Sequence, residues 1–148
     1  MARVLIASDH AGVDVKSDVA GFVRSLGHDA IDLGPTSRES VDYPEFAHRL
    51  AKAVAAGEGD WGILVCGSGI GMSIAANKVA GVRAALANDP YSARMAREHN
   101  DANVLVFGAR VIGSEMIREV VKAFASAEFT PGDDGRHRRR VEKIEDLS

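Results

Sequence analysis

The amino-acid sequence predicts an α/β fold with three layers, in which helices cover both faces of a five-stranded parallel sheet. Short apolar runs of strand length recur along the chain, at residues 4–7, 30–33, 61–65, 82–86 and 104–107. Amphipathic stretches separate them, and strands that alternate with helices form parallel sheets covered on both faces. A chain of 148 residues, 46% of them apolar, predicts a single domain over residues 1–148 with its own core.

The stretches between the apolar runs have helical spacing and, in places, residues typical of helix ends. Gly27 follows the first stretch, as a glycine often follows a helix C-terminus. Pro44 is typical of the first turn of the second helix, and Ser114 is placed to cap the fifth. We therefore expect helices at residues 14–26, 44–57, 72–77, 90–96 and 115–124.

The residues from about 130 to 148 form a C-terminal extension. A turn-rich break at 130–135 precedes a stretch in which Val141, Ile144 and Leu147 recur every third residue. This spacing predicts a terminal helix with one apolar stripe, packed on its own domain or on a partner. The whole pattern is that of a Rossmann-like αβα domain with a C-terminal helical extension.

Composition excludes several classes of function. The net charge of −3 argues against a nucleic-acid partner, because nucleic-acid-binding domains usually present a basic face. No apolar run approaches the roughly 20 residues that span a bilayer, so we expect no membrane partner. Cys66 is the single cysteine, which excludes an internal disulfide and suits a reducing cytoplasm. No His, Cys and carboxylate spacing resembles a zinc site.

A glycine-rich segment follows the third predicted strand. Gly67, Gly69 and Gly71 allow the backbone to approach a ligand, and the N–H groups of the following helix point toward it. Such a site favours phosphate, carboxylate or a developing enolate oxygen. The alternative is a tight turn between strand and helix with no ligand. The spacing and position differ from the dinucleotide fingerprint, which follows the first strand.

Cys66 lies where this loop leaves the strand, at the sheet edge where α/β proteins bind ligands. A nearby helix N-terminus favours thiolate over thiol, which makes Cys66 a candidate nucleophile or base. The alternative is that it is a small core residue.

Other polar residues flank the predicted strands. Asp9 and His10 follow the first strand and Arg110 follows the fifth, so all three belong to the same edge as Cys66. His99 and Asn100 come just before the fifth strand, and we expect them away from this edge within one chain. An isolated histidine is more often structural or solvated than catalytic, so neither histidine indicates a site by itself.

Arg136 and Arg140 are four residues apart and share one face of the predicted terminal helix. Two guanidinium groups on one face bind a phosphate dianion well. The alternatives are a solvated basic tail or a nucleic-acid patch, and the glycine-rich anion site favours phosphate.

Several motifs together carry a family resemblance. They are Ser8-Asp9-His10-Ala11-Gly12, Asp42-Tyr43-Pro44, CGSGIGMSIAANK at 66–78, HNDANVL at 99–105, Gly108-Ala109-Arg110, and Gly135-Arg136-His137 with Arg140. Nearly the whole chain thus resembles the type B ribose-5-phosphate isomerases, a family that also includes galactose-6-phosphate and allose-6-phosphate isomerases.

The resemblance implies an aldose–ketose isomerase of the pentose phosphate pathway that uses no metal or organic cofactor. It would interconvert D-ribose 5-phosphate and D-ribulose 5-phosphate through an enediolate. Cys66 would be the base that moves a proton between C2 and C1. The Ser68 hydroxyl and the loop backbone would stabilise the enediolate, the loop residues being Gly67, Gly69, Ile70 and Gly71.

The resemblance also implies roles for the other motif residues. His99 would help to open the sugar ring, and Asp9 would contact substrate hydroxyls and assist proton transfer. Tyr43 and Asn100 would line the site. The phosphate would be held by His10, Arg110, Arg136 and Arg140. Family members are homodimers with shared sites, and the alternative assembly is a dimer of dimers; His99 would therefore serve the partner's site.

Two positions depart from common family patterns. Many members have threonine where Ser68 stands, and serine keeps the hydroxyl without the methyl that restricts its rotamer. Other members use a glutamate base where Met72 stands, so here the task falls to Cys66. The alternative functions are a hexose-6-phosphate isomerase of the same family and a non-catalytic phosphate- or nucleotide-binding module.

Overall fold

The computed structural model describes residues 1–148 and contains one five-stranded parallel sheet with six α-helices. The strands are β1 (Arg3–Ser8), β2 (Asp29–Asp32), β3 (Trp61–Cys66), β4 (Ala84–Leu86) and β5 (Val104–Gly108). The helices are α1 (Val13–Ser25), α2 (Tyr43–Ala55), α3 (Ile70–Ala76), α4 (Pro90–Asn100), α5 (Ser114–Ser126) and α6 (Arg136–Glu145). This confirms the predicted αβα Rossmann-like fold with its helical extension.

The strand order is β2-β1-β3-β5-β4, and every pair is parallel. From β1 the chain runs outward to β2, whereas from β3 it runs to the other half of the sheet. The crevice at this change of direction, beyond the carboxyl ends of β1 and β3, is where open α/β sheets bind ligands. Ser8 pairs with Val65 and Cys66 pairs with Gly108, so the loops after β1, β3 and β5 are neighbours.

Two apolar cores cover the two faces of the sheet. Along β1, Val4 and Ile6 belong to the core shared with α1 and α5, whereas Leu5 and Ala7 face α2 and α3. Successive side chains of a strand point to opposite faces, so a strand covered on both faces is apolar throughout. This explains why β1 and β3 stand out in the sequence as continuous apolar runs.

Several boundaries differ from the predicted ones. β4 begins at Ala84, not at residue 82, because the N–H of Val82 donates to Val79 O in a turn. The side chain of Asn77 bonds both the N–H and the carbonyl of Ala84, and so sets the start of the strand. The N-cap of α5 is Gly113 instead of Ser114, which is already helical.

Helix α4 extends to Asn100, beyond the predicted end at residue 96. Its last turn is polar, so the apolar periodicity stops before the helix does. Asp101 ends it in the left-handed conformation, with φ of 49°. His99 and Asn100 therefore lie on a helix, not in a loop.

The C-terminal extension packs on α4 of its own chain. The N–H and hydroxyl of Thr130 both donate to the carbonyl of Glu98, and Arg83 pairs with Glu145 at 2.7 Å. Part of the predicted apolar stripe remains uncovered, since Ile144 is 52% exposed and Leu147 lies beyond the helix. None of the helices combines the length and apolarity needed to cross a membrane.

Candidate active site

One open pocket lies at the carboxyl edge of the sheet. Ten residues line it: Asp9, Tyr43, Cys66, Gly67, Ser68, Ile70, Gly71, Ile74, Arg110 and Val111. All of them except Ile74 and Val111 are predicted site residues. The fold thus brings together four separate segments, from the ends of β1, β3 and β5 and the start of α2.

Cys66 is the last residue of β3 and is 5% exposed. Its carbonyl accepts from the N–H of Ala109, which ties the strand end to the loop after β5. Its Sγ accepts a hydrogen bond from the N–H of Gly69 at 3.0 Å. A donor aimed at sulfur stabilises negative charge there, which is the form that a base or nucleophile needs.

The glycine-rich loop adopts a conformation that only glycine allows at Gly69. Its φ is 82°, and a Cβ there would lie 2.9 Å from the carbonyl carbon of Phe107. A Cβ at Gly71 would lie 2.5 Å from Cζ of Tyr43, so this second glycine makes room for the tyrosine ring. The glycines therefore serve close packing inside the pocket as well as backbone geometry.

Two amide donors of this loop already have partners inside the chain. The N–H of Gly69 donates to Cys66, and the N–H of Ile70 donates to the Ser68 hydroxyl at 3.2 Å. The Ser68 hydroxyl is therefore held within the loop, with its own proton left to donate.

Asp9 follows β1 and is 9% exposed. Its Oδ1 accepts from the N–H of Gly12 at 3.0 Å, at the start of a short 3-10 helix over His10–Gly12. Its N–H donates to Val65 O, which places it beside the end of β3. Arg110 enters from the loop after β5, where its N–H donates to Gly67 O.

His10 and Gly69 belong to this edge without lining the pocket. Nδ1 of His10 accepts from the N–H of Val41 at 3.2 Å, which joins the 3-10 helix to the loop before α2. This bond leaves Nε2 of His10 as the ring's free nitrogen.

The remaining predicted site residues, His99, Asn100, Arg136 and Arg140, lie elsewhere on α4 and α6. His99 and Asn100 end the helix that precedes β5, and none of the four residues lines the pocket. The rings of His99 and His137 are 4.1 Å apart between centroids. The carboxylate of Asp134 accepts from the N–H of Arg136, which holds the pKa of Asp134 below its ordinary value.

Sequence reasoning missed two apolar residues of the pocket. Ile74 and Val111 are 58% and 56% exposed, which is unusual for large apolar side chains. Ile70 and Ile74 are one helical turn apart on α3. This spacing from a predicted site residue is the sequence signal that could have identified Ile74. Leu86, also exposed, has its side chain beside Gly69, and with it these residues form an apolar rim near the pocket. No group of three His, Cys, Asp or Glu side chains has a metal-binding arrangement.

Two named relatives are similar to this chain over nearly its whole length. Ribose-5-phosphate isomerase B of Escherichia coli is 46% identical over 144 residues, which cover 97% of this chain and 95% of the relative. The D-erythrulose-4-phosphate isomerase of Pectobacterium atrosepticum is 42% identical over 146 residues, covering 97% and 93% of the two chains.

The fold is similar as well. The structure of type B ribose 5-phosphate isomerase from Trypanosoma brucei matches with a TM-score of 0.93 and 49% identity, covering 97% of this chain and 96% of that one. The family model described as Ribose/Galactose Isomerase matches residues 4–144. With this fold and nearly full-length similarity, the chain belongs to the ribose/galactose isomerase family.

Proposed function

We propose that this protein is an aldose–ketose isomerase that interconverts D-ribose 5-phosphate and D-ribulose 5-phosphate. The observation that carries the proposal is the Cys66 thiol, held by the Gly69 N–H in a pocket that it shares with Asp9 and Arg110. This pocket offers a base, a second proton carrier and a cation for an anionic substrate. Relatives named for the same reaction support it.

The proposed reaction moves one proton between two carbons. Cys66 as thiolate removes the proton from C2 of the open-chain aldose, and the electrons move into an enediolate. The resulting thiol returns the proton to C1, while a second proton passes between O1 and O2. Asp9 is the carboxylate of the pocket and is assigned this oxygen-to-oxygen transfer. The Ser68 hydroxyl is the donor assigned to the enediolate oxygens.

The proposed site is completed by a second subunit. His99, Arg136 and Arg140 do not line the pocket of their own chain, although the proposed reaction needs ring opening and phosphate binding. The exposed apolar rim of Ile70, Ile74 and neighbouring residues is suited to a protein contact. We therefore infer a homodimer, as the basic unit of any larger assembly, in which α4 and α6 of each subunit approach the partner's pocket.

The phosphate would then be shared between both chains. His10 and Arg110 would approach it from the chain that supplies Cys66, and Arg136 and Arg140 from the partner. Four cationic or donor groups around one dianion favour phosphorylated over free sugars. This function assigns the protein to the pentose phosphate pathway in the cytoplasm.

The choice among sugar phosphates is open to a direct test. We would measure kcat/KM with ribose 5-phosphate, allose 6-phosphate, galactose 6-phosphate and erythrose 4-phosphate, and thermal shifts with these sugars and with nucleotides. The expected result is the highest kcat/KM on ribose 5-phosphate. A higher value on another sugar would change the substrate, and no isomerisation with a nucleotide-dependent shift would indicate a binding module.

A further inference from the structure

His137 is the buried member of a run of five basic residues at the start of α6. It is 8% exposed, whereas Arg138, Arg139 and Arg140 are exposed to solvent. Burial of an imidazole requires hydrogen-bond partners and normally serves a purpose that an apolar residue could not. The function proposed above assigns no role to this residue.

A chain of hydrogen bonds fixes the His137 ring. Its Nδ1 lies 3.0 Å from the carbonyl oxygen of Thr130, and because a carbonyl only accepts, Nδ1 carries the proton. Thr130 in turn donates its N–H and its hydroxyl to the carbonyl of Glu98, at 2.9 and 3.1 Å. Glu98 precedes His99 in the last turn of α4. The ring is thus anchored to the turn that carries His99.

The anchored His137 ring is in direct contact with the imidazole of His99. The His137 and His99 ring centroids are 4.1 Å apart and the rings are inclined by 34°, so one ring lies largely over the other. His99 is only partly buried, so part of its side chain remains accessible to solvent. A side chain whose one face is covered by a fixed ring has fewer accessible orientations.

We propose that His137 is a positioning residue that holds the His99 imidazole in the orientation needed for sugar-ring opening. This rests on the proposed function, in which His99 opens the ring in the partner's site. His137 has two separable means of doing so: the donor at Nδ1 that anchors it, and the ring face that contacts His99.

Two substitutions separate these means. His137→Asn keeps a donor near the position of Nδ1 and removes the ring face, and His137→Phe keeps a ring and removes the donor. Arg138→Ala is the matched control, because the Arg138 guanidinium on the same helix lies over the Phe129 ring. We expect kcat on ribose 5-phosphate to fall about 3- to 10-fold in both His137 variants, the range expected from one aromatic contact. If kcat is higher in His137→Phe than in His137→Asn, the ratio of the two values measures the contribution of the ring face.

A positioning role predicts which substrate is affected. Ribose 5-phosphate exists mainly as a ring, whereas erythrose 4-phosphate cannot form a five-membered ring because its C4 oxygen carries the phosphate. The His137 variants should therefore lose activity on ribose 5-phosphate and retain it on erythrose 4-phosphate, with melting temperatures close to that of Arg138→Ala. Equal losses on both sugars would show that His137 supports the fold or the dimer, and would overturn the proposal.

A double-mutant cycle, measured with ribose 5-phosphate, tests independently whether His137 acts through His99. In a His99→Asn background, His137→Asn should cause no further loss, because the residue through which it acts is already gone. Multiplying losses would overturn the proposal. If His99→Asn itself reduced activity equally on both sugars, the ring-opening role of His99 would fail. If His99→Asn were selective and the His137 variants were fully active, only the present inference would fail.

Discussion

The backbone N–H of Gly69 donates to Sγ of Cys66 across a distance of 3.0 Å. Directly after this amide, the φ of 82° at Gly69 turns the chain from the loop into α3. The loop backbone therefore supplies the hydrogen-bond donor, and the end of β3 supplies the thiol that accepts it. A backbone N–H donor directed at sulfur favours negative charge on it.

Cys66→Ala and Cys66→Ser should remove most of the isomerase activity and leave the fold intact. Neither replacement can act as a base, and general-base catalysis typically contributes about 10²- to 10⁴-fold. Serine preserves the size of the side chain and the acceptor for the Gly69 N–H, so it isolates the chemistry of sulfur. The measurements are kcat/KM on ribose 5-phosphate and the melting temperature. Activity within about tenfold of wild type would contradict the assignment of Cys66 as the base.

Gly71→Ala should reduce activity by displacing Tyr43. The new Cβ would lie 2.5 Å from the tyrosine ring, which must move because the glycine belongs to α3 and cannot. A displacement of about 1 Å in a site can cost about 100-fold in rate. Tyr43 is 40% exposed, so its ring can swing outward with little loss of stability.

Gly21→Ala provides the matched control for this prediction. Gly21 lies in the middle of α1 with no atom within 4 Å of an added Cβ. Alanine there should stabilise the protein by up to about 1 kcal/mol and leave kcat/KM unchanged. Wild-type activity in Gly71→Ala would mean that the position of Tyr43 does not matter for turnover.

The sequence is informative where one kind of interaction dominates. Strands buried on both faces, such as β1 and β3, appear as uninterrupted apolar runs, and the residues that follow them reach the pocket edge. The end of α4 was not predictable from periodicity, because Arg97 is packed over the ring of Phe124 although it is a charged residue. A pattern of polar and apolar letters does not record such packing.

Contacts between distant segments were also beyond sequence reasoning. The stacking of His99 on His137 depends on how the C-terminal extension folds back on α4. The hydrogen bond to Cys66 depends on how the loop folds back over the end of β3. Both follow from the assembled fold and from no local spacing, so the motifs indicated which residues matter without indicating how they are held.

Lys16→Met should lower the free energy of unfolding by about 1.5–3 kcal/mol, the usual value of a hydrogen bond that involves a charged group. Lys16 is 2% exposed, and its ammonium donates to Asp32 and to the carbonyl of Pro35. Methionine has a similar length and loses only these bonds. Asp32 is 40% exposed, so water can replace its partner and limit the loss.

Urea unfolding measures this effect, with Asp32→Asn as the milder comparison. Asparagine keeps an acceptor oxygen for Lys16 and for the N–H of Gly34, so its loss should be smaller. Unchanged stability in Lys16→Met would show that apolar packing compensates for the buried ammonium, as happens for some buried ion pairs.

Mixed dimers test whether the sites are shared between subunits. Cys66→Ala and His99→Asn chains, coexpressed with different tags, should each be inactive as homodimers. Each mixed dimer should regain one intact site, formed by Cys66 of one chain and His99 of the other. The measurement is kcat per purified mixed dimer. Inactive mixed dimers would show that the α4 and α6 residues do not complete the partner's pocket.

Arg136→Ala should raise KM for ribose 5-phosphate and leave the melting temperature unchanged. The Arg136 guanidinium is 42% exposed and contacts only Asp134, at 3.4 Å, so the fold does not depend on it. One lost charge-assisted hydrogen bond corresponds to about 10- to 150-fold in apparent binding. Arg136→Lys should restore only part of this, because an ammonium cannot make the bidentate contact. Arg138→Ala, on the other side of α6, should have no effect. Equal losses on phosphorylated and unphosphorylated sugars would contradict a phosphate-binding role, since only the phosphate distinguishes these substrates.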